Sequence, residues 1–223
     1  MSDISFKKWN TILGWMCFLI AATVYALTAE PTVSFWDAGE YILSASKLNV
    51  GHPPGAPLFQ MLGAFFSVFS TDPSQIGWLM NMMSAFSSAF TILFMFWSIT
   101  MLLQKVVGSI ESNTSIQNNA ILGSALVGSL AFTFTDSFWF NAVETEVYAM
   151  ATLIMSVMFY LGLRWEQDMF KPRGNKWLIL ISFITGLSFG VHFMGLLTIP
   201  AIGLIYFFKN YQTIRISNSR KPT

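Results

Sequence analysis

Ile76–Leu103 reads IGWLMNMMSAFSSAFTILFMFWSITMLL, 28 residues without one charged side chain. As a helix it would be about 42 Å long. A bilayer core takes ~20 apolar residues, so this run can cross a membrane and project from it. Other apolar runs lie at Trp9–Thr28, Ala120–Thr135, Val147–Leu163 and Trp177–Phe208. The composition agrees: 54% of the 223 residues are hydrophobic and 10% charged, against about 25% charged in soluble domains. The ten-residue alternation of a membrane barrel is absent. An all-α integral membrane protein is expected. The single cysteine, Cys17, excludes an intrachain disulfide. A net charge of +1 with no dense basic patch gives no nucleic-acid reading. Lys7 and Lys8 precede an apolar run too long for a cleavable signal core, so the first span is expected to be retained.

Charge sets the expected orientation. Eleven of the twelve Lys and Arg residues, all but Lys47, fall on one face if the chain crosses six times. By the positive-inside rule that face, with both termini, is cytoplasmic. Glu30, Asp37, Glu40, Asp72, Asp136, Glu144 and Glu146 then lie outside; Asp3, Glu111, Glu166 and Asp168 lie inside. Parity makes Ala56–Ser70 a helix along the outer surface. It also splits Trp177–Phe208 into two short helices near SFGVHFMG, where Gly190 and Gly195 permit a turn. The expectation is about six spans plus one or two outer-surface helices. Residues 1–209 form the membrane module, with outer loops at about 29–75 and 136–146. Residues 210–223 form a polar basic tail and a candidate truncation point.

The outer loops carry the chemistry. FWDAGEYILSASKLNVGHPPGAPLF (Phe35–Phe59) places Asp37 and Glu40 three residues apart, on one helical face beside Tyr41. Such an acid can serve as a general base. Alternatively, Ser34 caps the helix and Asp37 favours its dipole. Glu144 could be the capping-box partner of Asn141, whereas Glu146 opens a span, where an ionisable side chain faces the bundle or a cavity. His52, before Pro53-Pro54, could bind phosphate, relay a proton or cap a helix. His192 sits at the outer turn, where a backbone partner is the commoner role. No metal-ligand spacing is present; Asp37 and Glu146 are the pair that would hold a divalent cation if one binds. Asn113-Thr114-Ser115 is a glycosylation sequon that this orientation places inside.

WDAGEYI, GHPPGAPL and ETEVYA together resemble the protein O-mannosyltransferases and their bacterial lipid-linked-sugar relatives, most closely the family that includes transmembrane protein 260. The resemblance spans about Trp9–Phe208. It implies a GT-C-type, inverting glycosyltransferase module that takes a sugar from a polyprenyl-phosphate donor and passes it to a protein or glycan acceptor on the non-cytoplasmic face. By motif position Asp37 would be the general base, with Glu40, Glu146 and Glu144 as the remaining catalytic acids. His52, His192, Trp36, Tyr41 and Tyr148 would contact donor or acceptor. Asp37 and Glu40 are separated here, whereas the mannosyltransferase pattern has adjacent Asp-Glu, which puts Glu40 in question. Members are usually far longer, which leaves room for a C-terminal domain or partner subunit. The membrane would be the plasma membrane in a bacterium or the endoplasmic reticulum in a eukaryote. The alternatives are a transporter, which would place its ionisable groups near the bilayer midplane, and a non-catalytic subunit of the same fold.

Overall fold

The computed structural model describes residues 3–108, 110 and 113–219, with side chains for all of these except Asp3 and residues 212–219. Glu111, Arg220 and Lys221, assigned above to the inner face, lie outside the described residues, as do the Asp3 and Arg215 side chains. The described chain is helical: α1 (Asp3–Thr28), α2 (Ala38–Lys47), α3 (Pro57–Ser67), α4 (Ile76–Val107), α5 (Ser115–Thr133), α6 (Asp136–Ala142), α7 (Val147–Asp168), α8 (Lys176–Ser188) and α9 (Thr198–Ser219).

The uncharged run that opened the sequence is the centre of the bundle. Its face of small residues lets neighbours approach closely, which drives packing where apolar lipid supplies no hydrophobic force. Ala85, Ala89, Ile92 and Phe96 of α4 meet Cys17, Ala21 and Tyr25 of α1 and Ile121, Leu122 and Ala125 of α5. Met83 meets Val147, Met150 and Ala151 of α7. On the far side of α7, Met158, Leu161 and Trp165 pack with Ile181 of α8 and Ile202 of α9. Large apolar side chains such as Leu19, Ile179, Phe183 and Leu204 point outward, as a lipid-facing surface requires.

Among the described residues four helices are long and apolar enough to cross a membrane: Ile4–Thr28, Pro73–Val107, Val147–Asp168 and Phe193–Tyr211. A fifth results if the pair α5 and α6, bent by 67°, is one span. The expected count of six is not reached. The break after Ser188 leaves α8 with 13 residues, about 20 Å, short of the ~30 Å hydrocarbon core. α2 and α3 are short helices of 10 and 11 residues, where outer-surface elements were expected.

The bundle has two chemically distinct ends. At one, Lys105 of α4 and Lys209 of α9 both bind Glu166 of α7, the second at 2.8 Å. At the other, the loops bearing Glu30, Asp37, Glu144 and Glu146 converge. Two expected caps differ. Asp37, not Ser34, is the N-cap of α2, and Glu146, not Asn141, is the N-cap of α7. Asn141 lies inside α6, because Asp136–Ala142 forms a helix of its own. Asp72 does cap the turn before α4, accepting from Ser74 N at 2.9 Å.

The break in SFGVHFMG depends on close approach, since neither Gly190 nor Gly195 has positive φ. The Gly190 carbonyl accepts from Leu58 N at 2.7 Å and Phe59 N at 3.2 Å, satisfying two unpaired donors at the start of α3. A Cβ on Gly190 would sit 2.8 Å from Leu58 Cβ. Gly190→Ala is expected to lower stability by about 1–3 kcal/mol, as overpacking does. Gly186→Ala, whose Cβ meets nothing within 4 Å, should be neutral or stabilising by about 0.5–1 kcal/mol. Thermal melting of both variants in detergent checks the contrast.

Candidate active site

The acidic end is assembled around a residue that carries no charge. Asn81, fully buried on α4, donates through Nδ2 to the Glu30 carbonyl at 2.7 Å and the Thr32 carbonyl at 3.0 Å. Its Oδ1 accepts from Thr145 Oγ1 at 2.5 Å. Glu30 N also donates to the Val143 carbonyl at 2.9 Å, so the two acid-bearing loops bond each other as well as α4. Gly77, one turn before Asn81, lets the Thr32 carbonyl approach to 3.0 Å of where a Cβ would stand. One signal for this role is visible in residue order: a carboxamide inside an otherwise apolar span, which in lipid must find partners.

On α2, Glu40 turns back to the HPP loop. Its Oε1 accepts from His52 N at 2.6 Å, and its Oε2 lies 3.0 Å from His52 Nδ1. The two hydrogen bonds from His52 hold the Glu40 carboxyl below its usual range, and Glu40 in turn raises the imidazole. The imidazolium side of this pair is complete below pH 6.5 and is lost as pH rises through the raised His52 value. The carboxylate side is complete above pH 4.5 and is lost as pH falls through the lowered Glu40 value. Gly51 fits the turn because a Cβ there would meet the Gln60 carboxamide at 2.6 Å. Gln60 meets Ser44 Oγ at 3.2 Å.

Tyr41, from the same helix, packs against His52 and Phe59 with ring centroids 5.8 Å and 5.4 Å away. Burial, then the charges of Glu146, Asp37, Tyr148 and Glu40, push its hydroxyl up to about 12. Tyr41 therefore sits within electrostatic reach of both acid-bearing loops. Glu146 is only 7% exposed. Burial, followed by Glu144 and Asp37, pushes it up to about 7, while the Val147 N–H and His52 oppose the shift. Glu144, 3% exposed, is raised by burial and faces Ser34 and Glu30.

The structure thus gathers Asp37, Glu40, Tyr41, His52 and Glu146, with Glu144 behind them. Asp37 is exposed at the start of α2. Trp36, 86% exposed, holds a left-handed backbone at φ 63° that sets its indole into the open space before the site. Tyr148 and His192 form a flanking pair with ring centroids 5.2 Å apart. His192 Nδ1 accepts from Met194 N at 3.1 Å, so one ring nitrogen caps the following turn. Among the described residues no three His, Cys, Asp or Glu side chains are placed to hold a metal ion, so the Asp37–Glu146 pair lacks a third protein ligand of these types. The arrangement offers one exposed carboxylate, one buried carboxyl titrating near neutrality and one latched imidazole. These are the parts of a proton-transfer site beside an anion-binding group.

The protein family described as Protein O-mannosyl-transferase TMEM260 N-terminal domain matches residues 37–215. The chain is 29% identical over 164 residues to the protein O-mannosyl-transferase tmem260 of Dictyostelium discoideum, covering 72% of this chain and 18% of that one. It is 24% identical over 171 residues to the protein O-mannosyl-transferase TMEM260 of Mus musculus, covering 77% and 22%. The chain thus spans about a fifth of the length of these curated relatives. No solved structure matches.

Asn81→Leu strips partners from two carbonyls and a hydroxyl. At about 1–3 kcal/mol for each buried polar group left unmatched, the variant should lose roughly 3 kcal/mol or more in detergent melts and open the 29–56 loop to protease. Asn81→Asp should also destabilise, because it keeps the acceptor and removes the donor. For Glu146, an acid raised on folding binds its proton more tightly when folded, so stability falls as pH rises from 4.5 to about 7. Glu146→Gln should abolish that slope and gain on the order of 3 kcal/mol at pH 8, read from melting temperatures across pH.

Proposed function

The chain belongs to the protein O-mannosyl-transferase TMEM260 N-terminal domain family, and from that membership and the acidic cluster we propose that it forms the reaction site of a membrane glycosyltransferase. The reaction moves a sugar, mannose by analogy with the named relatives, from a polyprenyl-phosphate donor to a Ser or Thr hydroxyl of a protein acceptor. The acidic end faces the non-cytoplasmic side and the lysine-rich end the cytoplasm, in keeping with the positive-inside rule. Residues 1–209 act as a GT-C-like module, to which further chain or a partner subunit adds acceptor-binding parts.

The observation that carries this reading is the convergence of Asp37 and Glu146 around Tyr41. The leaving group is already a phosphate, so the protein has three tasks: to align donor and acceptor, to take one proton and to steady the phosphate charge. Asp37, exposed at the start of α2, takes the proton from the acceptor hydroxyl as its oxygen attacks the anomeric carbon. The bond from that carbon to the phosphate oxygen breaks, and the polyprenyl phosphate leaves with the electron pair. His52, latched through Nδ1 by Glu40, presents Nε2 to a phosphate oxygen. Glu40 acts as a positioning residue, since both of its oxygens engage His52. Trp36 and Tyr148 bound the acceptor side, with His192 behind Tyr148.

A second assignment rests on Glu146. A carboxyl titrating at about 7 is matched to proton transfer at neutral pH, and burial aims it at the same space. Asp37→Asn and Glu146→Gln separate the two. Loss of the base should lower transfer about 10²–10⁴-fold, and loss of a mere orienting group should lower it less. The assay is transfer of labelled mannose from polyprenyl-phosphate mannose to a Ser/Thr peptide, in membranes carrying the full chain. Unchanged transfer in both variants would rule out catalysis by this cluster.

A further inference from the structure

A sizeable cavity lies away from the acidic end. About 580 Å³ of space opens at the lysine-rich end, between the start of α1, the last turns of α4 and the last turns of α7. Its polar lining includes Lys7, Asn10, Gln104, Arg164 and Gln167, and its apolar wall includes Phe6, Trp97, Met101 and Tyr160. No acid with a described side chain lines it. The two acids of this end with described side chains are already engaged. Glu166 is held by Lys105 and Lys209, and Asp168 by Lys171 Nζ and Trp177 Nε1, each at 2.9 Å. Arg164, which lines the cavity, has its guanidinium carbon 5.4 Å from the centre of the Trp177 ring. Asn10 Oδ1 is buried with no hydrogen-bond partner among the described residues, while the Asn10 carbonyl takes Trp97 Nε1 at 3.3 Å.

We propose that this cavity binds the phosphate of an anionic glycerophospholipid headgroup from the leaflet at the basic end. Basic pockets between membrane helices suit such headgroups, and a planar guanidinium offers paired donors to phosphate oxygens. The carboxamides of Gln104 and Gln167 supply neutral donors. The aromatic wall takes the glycerol and the start of the acyl chains. The site lies at the opposite end of the bundle from the acid cluster and does not depend on the reaction assigned there.

The test uses the full chain in neutral detergent, with dihexanoyl phosphatidylglycerol as the probe, dihexanoyl phosphatidylcholine as the zwitterionic control and inorganic phosphate as the free anion, each followed by thermal shift. Phosphatidylglycerol should stabilise the chain more than phosphatidylcholine does. Arg164→Gln should weaken that binding about tenfold or more. Gln167 is exposed at the rim, so its charge variants put folding at little risk. Gln167→Lys should tighten phosphatidylglycerol binding about 3- to 10-fold and Gln167→Glu weaken it by a similar factor, as expected for one charge some 6 Å away in a wet site. Stabilisation by inorganic phosphate equal to that by phosphatidylglycerol would overturn the lipid assignment in favour of a free anion. Affinity indifferent to both Gln167 substitutions would overturn the site.

Discussion

The carboxamide of Asn81 is the interaction on which the acidic end depends. Two carboxyl-bearing loops converge there, and their charges repel. A lysine in place of Asn81 would neutralise the cluster and remove the reason for building it. A neutral group with two donors and an acceptor holds the backbone of one loop and the side chain of the other, without setting the charge of either. Because Thr145 precedes Glu146 and Thr32 lies five residues before Asp37, fixing those two positions fixes where the acids enter. The energy comes from the membrane environment. A carboxamide buried in an apolar bundle has no water to return to, so its bonds are nearly obligatory.

Two further closures complete the frame, and both act on the HPP loop. From α2, Glu40 takes the His52 amide and ring. From the far end of the chain, the Gly190 carbonyl takes the first amides of α3. The loop between is tied to segments 12 and about 130 residues away in sequence. Residues that form the frame (Asn81, Thr145, Gly190, Gly77) are buried or closely packed, whereas Asp37, Trp36 and His52 stay accessible. That division lets a site keep its shape while its working side chains face a ligand.

Much of this was legible from residue order. The uncharged run of α4 announced the bundle. The acid spacing, the HPP element and ETEVYA marked the residues that meet. The distribution of lysines and acids matched the two ends of the helices. What stayed hidden has specific causes. The break near SFGVHFMG falls where it was expected, but the count of six took each half of Trp177–Phe208 as a crossing, and α8, with 13 residues, is too short to span the hydrocarbon core by itself. Ser34 and Asn141 looked like caps by composition, but capping depends on where the backbone leaves its extended form, and α6 took Asn141 into its own helix. Asn81 could be noticed as a polar residue in a span. Its three partners, 49 to 64 positions away, could not be read from periodicity.

The charge layout also bears on how the proposed reaction divides the site. With Glu146 near half-protonated at neutral pH, the groups around Tyr41 are Asp37, the Glu40 carboxylate and, below its raised value, the imidazolium of His52. The negative end of that triplet is Asp37 and the positive end is His52, with Glu40 committed between them. A phosphate approaching along the HPP loop meets the imidazole before it meets an unmatched carboxylate, whereas an uncharged hydroxyl pays no electrostatic penalty beside Asp37. In the proposed reaction the donor would take the His52 side and the acceptor the Asp37 side. That separation would come from one salt bridge and one buried carboxyl that is half-protonated near neutral pH.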